Sequence, residues 1–185
     1  MKRKIISIER ISLRNKIIRK IGLDTDNSFS WMEHEKLTWN YKPAIVKKGN
    51  ILHANYIIFS ELIGLLSREN PDKEINKKKV ITFLKKNRIK PIRKKEVDQG
   101  KVNEVLEKLK KERDKNSWSA GDNDLRIISV YSVTGMDCIS TNNLKDFREP
   151  CRFLNIDLDL PSIIEPGSMQ DINRMWRNLY GKRKY

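Results

Sequence analysis

Three acids stand out by their surroundings. Glu61 lies in the run NYIIFSELIGLL, and on a helix its neighbours one turn away are Ile57, Ile58, Gly64 and Leu65. A carboxylate on an apolar stripe is costly unless something pairs with it. A lysine, a structural salt bridge or a metal ion would each serve. Asp24 closes an apolar run in GLDTDN, where turn chemistry alone would account for it. Asp124 opens the apolar run DLRIISVYSV, where an acid also serves as a helix N-cap. Asn143 lies just past CIST. Taken singly, each acid has an ordinary explanation. Together, these four residues come from four elements and fall at element ends, and a parallel α/β sheet gathers ligands outside the carboxyl ends of its strands. Clustered carboxylates repel one another unless a cation sits among them. An all-oxygen set, without Cys or His, selects a hard ion such as Mg²⁺ or Mn²⁺. On a basic chain, hard ions between carboxylates suggest phosphodiester chemistry.

Several elements must position these residues. The sequence predicts a buried strand over 16–25, an irregular segment over 26–52 with Trp31, Trp39 and Pro43, and a helix over 53–68. Two charged amphipathic helices follow near 73–87 and 101–114, the second with Val102, Val105, Leu106 and Leu109 at helical spacing. Pro91 and Gly100 punctuate the gap between them. A helix over 123–134 is closed by Gly135, and DCIST reads as a second buried strand. After a short helix over 144–154, NIDLDLP alternates and stops at Pro161, the pattern of an edge strand. A last helix over about 168–180 carries Met169, Ile172, Met175, Trp176, Leu179 and Tyr180 as its apolar stripe. Strands alternating with helices predict a single α/β domain, a central parallel sheet flanked by helices.

The chain has 185 residues, enough for one domain with a sizeable core, and a formal net charge of +15. That charge points to a polyanionic partner, most simply nucleic acid, with plain solubility as the alternative. Residues 77–95 hold ten basic residues and no acid: Lys77, Lys78, Lys79, Lys85, Lys86, Arg88, Lys90, Arg93, Lys94 and Lys95. A solvated helix face normally mixes signs, as 104–114 do, so the unmixed run reads as an RNA-binding surface that contacts phosphates without reading sequence. The C-terminal RMWRNLYGKRKY interleaves aromatic and basic residues; Trp176 and Tyr180 read as core, with stacking on unpaired bases as the alternative. Cys138 and Cys151 have no metal-site spacing and read as reduced core cysteines, and His34 and His53 form no metal pattern. The charged N-terminus lacks an apolar signal core, and NYIIFSELIGLL is too short to span a membrane. A soluble, cytoplasmic protein is expected.

The order of these motifs resembles the PIN-domain ribonucleases, in particular the VapC-type toxins of toxin–antitoxin pairs. In that family the opening strand ends in an acid, usually followed by Thr and Asn; here it is LDTDN. The second acid sits in a helix, often before Leu, as in SELIGLL. The third begins a helix that runs to Gly and a strand ending in Thr, as in DLRIISVYSVTGMDCIST. An acid or Asn, two residues and Asp-Phe follow, here NNLKDF, and CRFLNIDLDLP is similar to the family's last strand. The resemblance implies a PIN-like domain over 16–161, with a basic extension at 1–15 and a basic amphipathic helix and tail at 162–185. It implies an endoribonuclease using Mg²⁺ or Mn²⁺ held by Asp24, Glu61, Asp124 and Asn143, with Thr141 orienting a ligand or water. It also implies an antitoxin partner and a homodimer. Asn143 stands where many members have Asp, which lowers the charge of the site; Asp26 and Asp122 are candidates to restore it. Tyr131 stands where a small residue is usual. Two other readings remain open: a housekeeping PIN nuclease of RNA processing, and a non-catalytic RNA-binding module on a decayed PIN scaffold.

Overall fold

The computed structural model describes residues 19–36 and 49–159. The expected extension at 1–15, the first residues of the strand at 16–25, the segment with Trp39 and Pro43, and the helix and tail at 162–185 lie outside the described residues. In chain order the elements are β1 (Lys20–Leu23), α1 (Thr25–Lys36), β2 (Ile51–Asn55), α2 (Tyr56–Leu66), α3 (Lys73–Lys86), β3 (Lys90–Ile92), a 3₁₀ turn (Lys94–Glu96), α4 (Gln99–Asn116), α5 (Asp122–Val133), β4 (Cys138–Ser140), α6 (Leu144–Phe153) and β5 (Asp157–Asp159).

The five strands form one sheet in the order β3-β2-β1-β4-β5, and every neighbouring pair is parallel. The expected α/β fold with a central parallel sheet is therefore what forms. β1 lies at the centre, with Ile21 opposite Leu52 on one side and Cys138 on the other. The chain works outward from β1 to β3, then returns to lay β4 against the free side of β1. Strand order thus reverses between β1 and β4, and the carboxyl ends of these two strands are where such a sheet opens a crevice. Helices pack in sequence against one another, α1 on α2 and α2 on α3, then α4 on α5 and α5 on α6. Between them and the sheet lies a core of Ile21, Leu23, Ile58, Leu62, Leu109, Leu125, Ile128, Ile139 and Phe147, and Trp31 meets Phe83 edge-on at 5.2 Å. Cys138 and Cys151 are buried and neither forms a disulfide, as their apolar context predicts.

Three expectations are corrected. The described part of 26–52 is not irregular: Thr25–Lys36 is a helix, and β2 begins at Ile51. The helix TDNSFSWMEHEK was hidden by its polar buried positions, since Asn27 and Ser28 are as inaccessible as Trp31. The helix expected over 53–68 starts only at Tyr56, and 53–55 belong to β2. No glycine or proline marks that junction, so periodicity alone does not divide it. Asn55 does, because its side chain accepts the Ile57 and Ile58 N–H groups at 2.9 and 3.2 Å and caps α2. Pro91 lies not in a gap but in β3, an edge strand, where a missing N–H is tolerated. NIDLDLP does hold an edge strand, over Asp157–Asp159.

One close approach ties the centre of the sheet together. A Cβ on Gly22 of β1 would lie 2.7 Å from the ring of Tyr131, so only glycine fits there. The buried Tyr131 hydroxyl donates to the Leu23 carbonyl at 2.6 Å and accepts the Asn55 N–H at 3.4 Å, joining the carboxyl ends of β1 and β2. Burial pushes the phenol above its usual range and keeps it a donor. The bulk of Tyr131 is thus matched by the absence of a side chain opposite it. Gly22→Ala should lower stability by about 1–3 kcal/mol through overpacking, and combining it with Tyr131→Leu should cost less than the sum of the two changes. Thermal melts of the three variants check this; strict additivity would mean that residues 22 and 131 do not share the space.

Candidate active site

Asp24 is the residue between β1 and α1. Its backbone N–H bonds the Ser140 carbonyl of β4 at 2.9 Å, and its own carbonyl accepts the Ser28 N–H at 3.0 Å, so sheet and helix both fix it. Only 4% of it is exposed, which puts its carboxylate out of bulk water. One oxygen accepts the Thr25 N–H at 2.7 Å and the other the Thr141 hydroxyl at 2.7 Å. Thr141 Oγ1 in turn accepts the Asn143 N–H at 2.9 Å, which leaves its proton directed at Asp24. Burial nonetheless dominates and, helped by the charges of Asp26 and Asp124, raises the Asp24 pKa from 3.8 to about 7.

Asp24, Thr25, Asp26, Glu61, Gly64, Leu65, Arg68, Asp124 and Asn143 line one cleft of about 470 Å³ at this end of the sheet. The four residues expected to share a site are thus brought to one cavity, with Thr141 directly behind Asp24. Glu61 projects from α2, and its oxygens accept bonds from the Thr25 hydroxyl and the Asn123 amide. Asp124 is the third residue of α5 rather than its cap, and its carboxylate accepts the Gly121 N–H at 3.1 Å. Its pKa is also raised, mainly by burial, against that bond and with the charges of Asp146, Glu61 and Asp26 adding to it. Asn143 precedes α6 and donates its amide to Asp146 at 2.8 Å.

Asp122 does not join the cleft. Its carboxylate takes the Arg113 guanidinium at 2.5 Å and faces Lys110 at 3.8 Å, and the Arg113 bond holds its pKa below the usual range. The acid at the first position of α5 is taken by the neighbouring α4 instead. Asp26 does line the cleft. Sequence reasoning missed Thr25 and Asn123, which hold Glu61, and Arg68 and Asp146. Asp146 lay in the quoted NNLKDF; its pKa is lowered by bonds from Ser119 and Asn143.

The donors fit a hard divalent cation in kind and charge: they are oxygens, the neighbouring acids add to the upward shifts of Asp24 and Asp124, and among the described residues none of Asp24, Asp26, Glu61 or Asp124 has a Lys or Arg ion-pair partner. As the side chains stand, no three His, Cys, Asp or Glu among the described residues are close enough to hold an ion together. Both Glu61 oxygens and one Asp124 oxygen are taken by local donors. The ten basic residues of 77–95 are all exposed, on α3, β3 and the turns beside them. Lys77 lies 3.5 Å from Glu74 and Arg93 lies 3.8 Å from Glu96. Lys78, Lys79 and Lys86 rim a separate groove floored by Met32, Leu66, Ile75 and Phe83.

No family model matches the chain, and no curated protein matches it. Solved structures do. A chain in the structure of VapBC2 from Rickettsia felis bound to a promoter DNA fragment superposes with a TM-score of 0.55 at 23% identity, covering 76% of this chain and 97% of that one. DNA-bound VapBC from Salmonella typhimurium gives a TM-score of 0.56 at 18% identity, covering 77% and 98%. VapBC-1 from nontypeable Haemophilus influenzae gives 0.54 at 17%, covering 76% and 96%. The fold is a VapC-like PIN fold. At these identities the likeness is one of fold. In this PIN fold the acidic cleft lies at the switch point between β1 and β4, and no described helix is long and apolar enough to cross a membrane.

The Asp24 shift gives a pH dependence with a definite sign. Unfolded, Asp24 releases its proton near 3.8; folded and free of metal, near 7. Between these values the folded state binds more protons, so Asp24's contribution to stability is complete below about 4 and is lost as pH rises to 7. In chelator, the wild-type melting temperature should fall by several degrees from pH 5 to pH 8 relative to Asp24→Asn. Parallel curves for the two proteins would show that Asp24 does not carry the shift.

Proposed function

We propose that the protein is a divalent-metal-dependent endoribonuclease of the PIN type, toxin-like, with an antitoxin protein as its partner. The observation that carries the reading is a buried carboxylate, Asp24, sharing one cleft with Asp26, Glu61 and Asp124, none of which is ion-paired to a Lys or Arg among the described residues. Carboxylates kept together without a counter-ion lower stability, and a cleft of oxygen donors is what Mg²⁺ or Mn²⁺ takes. The fold supports the nuclease class, and the neighbouring solved structures, VapBC complexes, support a protein partner of the antitoxin kind.

Asp24, Glu61 and Asp124 would hold the ion, with Asn143 contributing its amide oxygen. When bound, the ion would supply charge to activate water and to stabilise the departing oxygen of a phosphodiester. The rest falls to the chain. Thr141 fixes one Asp24 oxygen, and its orientation is set by the Asn143 N–H, so the pair keeps Asp24 aimed before substrate arrives. Thr25 and Asn123 keep Glu61 in the cleft rather than in solvent. The basic surface of 77–95 would hold the RNA backbone. A second reading, an RNA-binding module without catalysis, is favoured by one residue: Asn143 lines the cleft as a neutral amide and brings no negative charge to it.

Two measurements decide between these readings. Asp124→Asn removes a negative charge while keeping an acceptor for the Gly121 N–H, so RNA cleavage in Mn²⁺ should fall by orders of magnitude while the melting temperature holds or rises. Full activity in Asp124→Asn would remove this residue from catalysis. Mn²⁺ should also raise the wild-type melting temperature more at pH 8 than at pH 5.5, because protons and the ion compete for the same oxygens. A protein that binds RNA without responding to Mn²⁺ at either pH is the non-catalytic module. Neutralising Lys85, Lys86 and Arg88 together should reduce the slope of log affinity for RNA against log salt by about two to three; an unchanged slope would make that run a solvated surface.

A further inference from the structure

The acidic cleft has a difficulty as a site for a polyanion: its walls carry Asp24, Asp26, Glu61 and Asp124. Among the described residues, one basic residue lines it, Arg68. Its side chain makes no hydrogen bond or ion pair among the described residues, although four carboxylates share its cavity. It is exposed, just past the end of α2, where its backbone N–H accompanies the closing turn by bonding the Leu65 carbonyl at 3.2 Å.

Glu61, Gly64, Leu65 and Arg68 follow one another at spacings of three, one and three residues, the pattern of a single helical stripe, and all four line the cleft. Seven residues at 1.5 Å each place Arg68 about 10 Å along the axis from Glu61, too far for the two side chains' bases to be neighbours but within one extended ligand. Gly64 lies between them. A helix interior disfavours glycine, and packing does not require it here, because a Cβ at Gly64 would meet nothing within 4 Å. Its effect is to leave the surface between Glu61 and Arg68 free of side chain.

We infer that this stripe of α2 is a backbone track, in which Arg68 grips a phosphate of the RNA strand next to the one being cleaved and Gly64 lets the sugar-phosphate chain lie close to the helix. The inference rests on the nuclease reading and assigns a substrate contact within it. A guanidinium presents paired N–H donors that match two phosphate oxygens, and Arg68 is uncommitted to any protein acid. It offsets the repulsion that the carboxylates exert on the incoming strand, at a position where it does not compete with the ion for their oxygens. The competing explanation is a basic residue complementing the negative end of the α2 dipole. That role concerns folding only.

The test is steady-state cleavage of a short single-stranded oligoribonucleotide in Mn²⁺ by the full chain, wild type, Arg68→Gln and Arg68→Lys, with a melting curve and a Mn²⁺ titration for each. Arg68→Gln should raise KM about tenfold with a smaller change in kcat, and lower the salt dependence of kcat/KM by about one phosphate contact. Arg68→Lys should fall between, keeping the charge and losing the paired donors. Neither should raise the Mn²⁺ concentration for half-maximal activity. Gly64→Val should also raise KM, by crowding the track. Wild-type cleavage with an unmoved KM in Arg68→Gln overturns this inference alone. A KM rise that tracks a lowered melting temperature and vanishes at low temperature assigns Arg68 to the helix end and overturns it as well. A wild-type protein that cleaves no RNA in Mn²⁺ overturns the nuclease reading together with it.

Discussion

The structure turns on keeping one carboxylate out of water. Asp24 sits at the end of the central strand with a main-chain amide and a threonine hydroxyl on its two oxygens. Both bonds favour the charged form, yet burial and the neighbouring acids outweigh them. Ordinary packing would not select this arrangement: a serine or asparagine there would accept the same donors without the cost of desolvating a charge. The sheet, the two helices that begin at its edge and the Thr141 turn all close around that group. The same geometry raises its free energy when it is charged.

The strand order follows from the same requirement. Asp24 needs β4 beside β1, because Ser140 receives its N–H and Thr141 supplies its hydroxyl bond. β4 arrives there only after the chain has laid down β2 and β3 on the other side and returned through α4 and α5. That return also carries Asn123 and Asp124 to the cleft, at the first turn of α5. Tyr131, two turns further along α5, reaches through the space left by Gly22 and bonds the ends of β1 and β2. One helix thus contributes an acid to the cleft, a donor to Glu61 and a tether to the strands beneath.

Much of this was legible in the sequence, and the failures have physical causes. Asp24, Asp124 and Asn143 were visible because a charge or amide at the end of an apolar run is unusual, and Glu61 because a carboxylate inside one is. α3, α4 and α5 were visible because their apolar residues repeat at helical spacing and their ends carry strong signals, such as Asp72 capping α3. α1 was not, because its buried positions include Asn27 and Ser28, which break an apolar stripe. β2 was not, because ILHAN and YIIF join without a turn, and only Asn55 marks the change of period. β3 was obscured by its lysines and proline, since an edge strand of three residues buries only Ile92. Arg68 and Asn123 were out of reach for a different reason. Their meaning lies in contacts between α2, α5 and α1, and no local pattern encodes those distances. Asp122 misled because position alone does not say which neighbour takes a carboxylate; Arg113 on α4 does.

The junctions at Asp24 and Asn55 have a consequence for how such a chain tolerates changes in length. At each, a strand ends and a helix begins with at most a single residue between them. One inserted residue before Asp24 would exchange the two faces of β1, since strand side chains alternate, and one inserted after it would rotate α1 by about 100° relative to the strand. Neither error can be absorbed locally, because there is no loop to absorb it. The turn over 67–72, between α2 and α3, has slack of that kind. Insertions and deletions should therefore accumulate away from the carboxyl edge of the sheet, and the spacing from β1 into α1 and from β2 into α2 should stay constant even where sequence identity has almost disappeared.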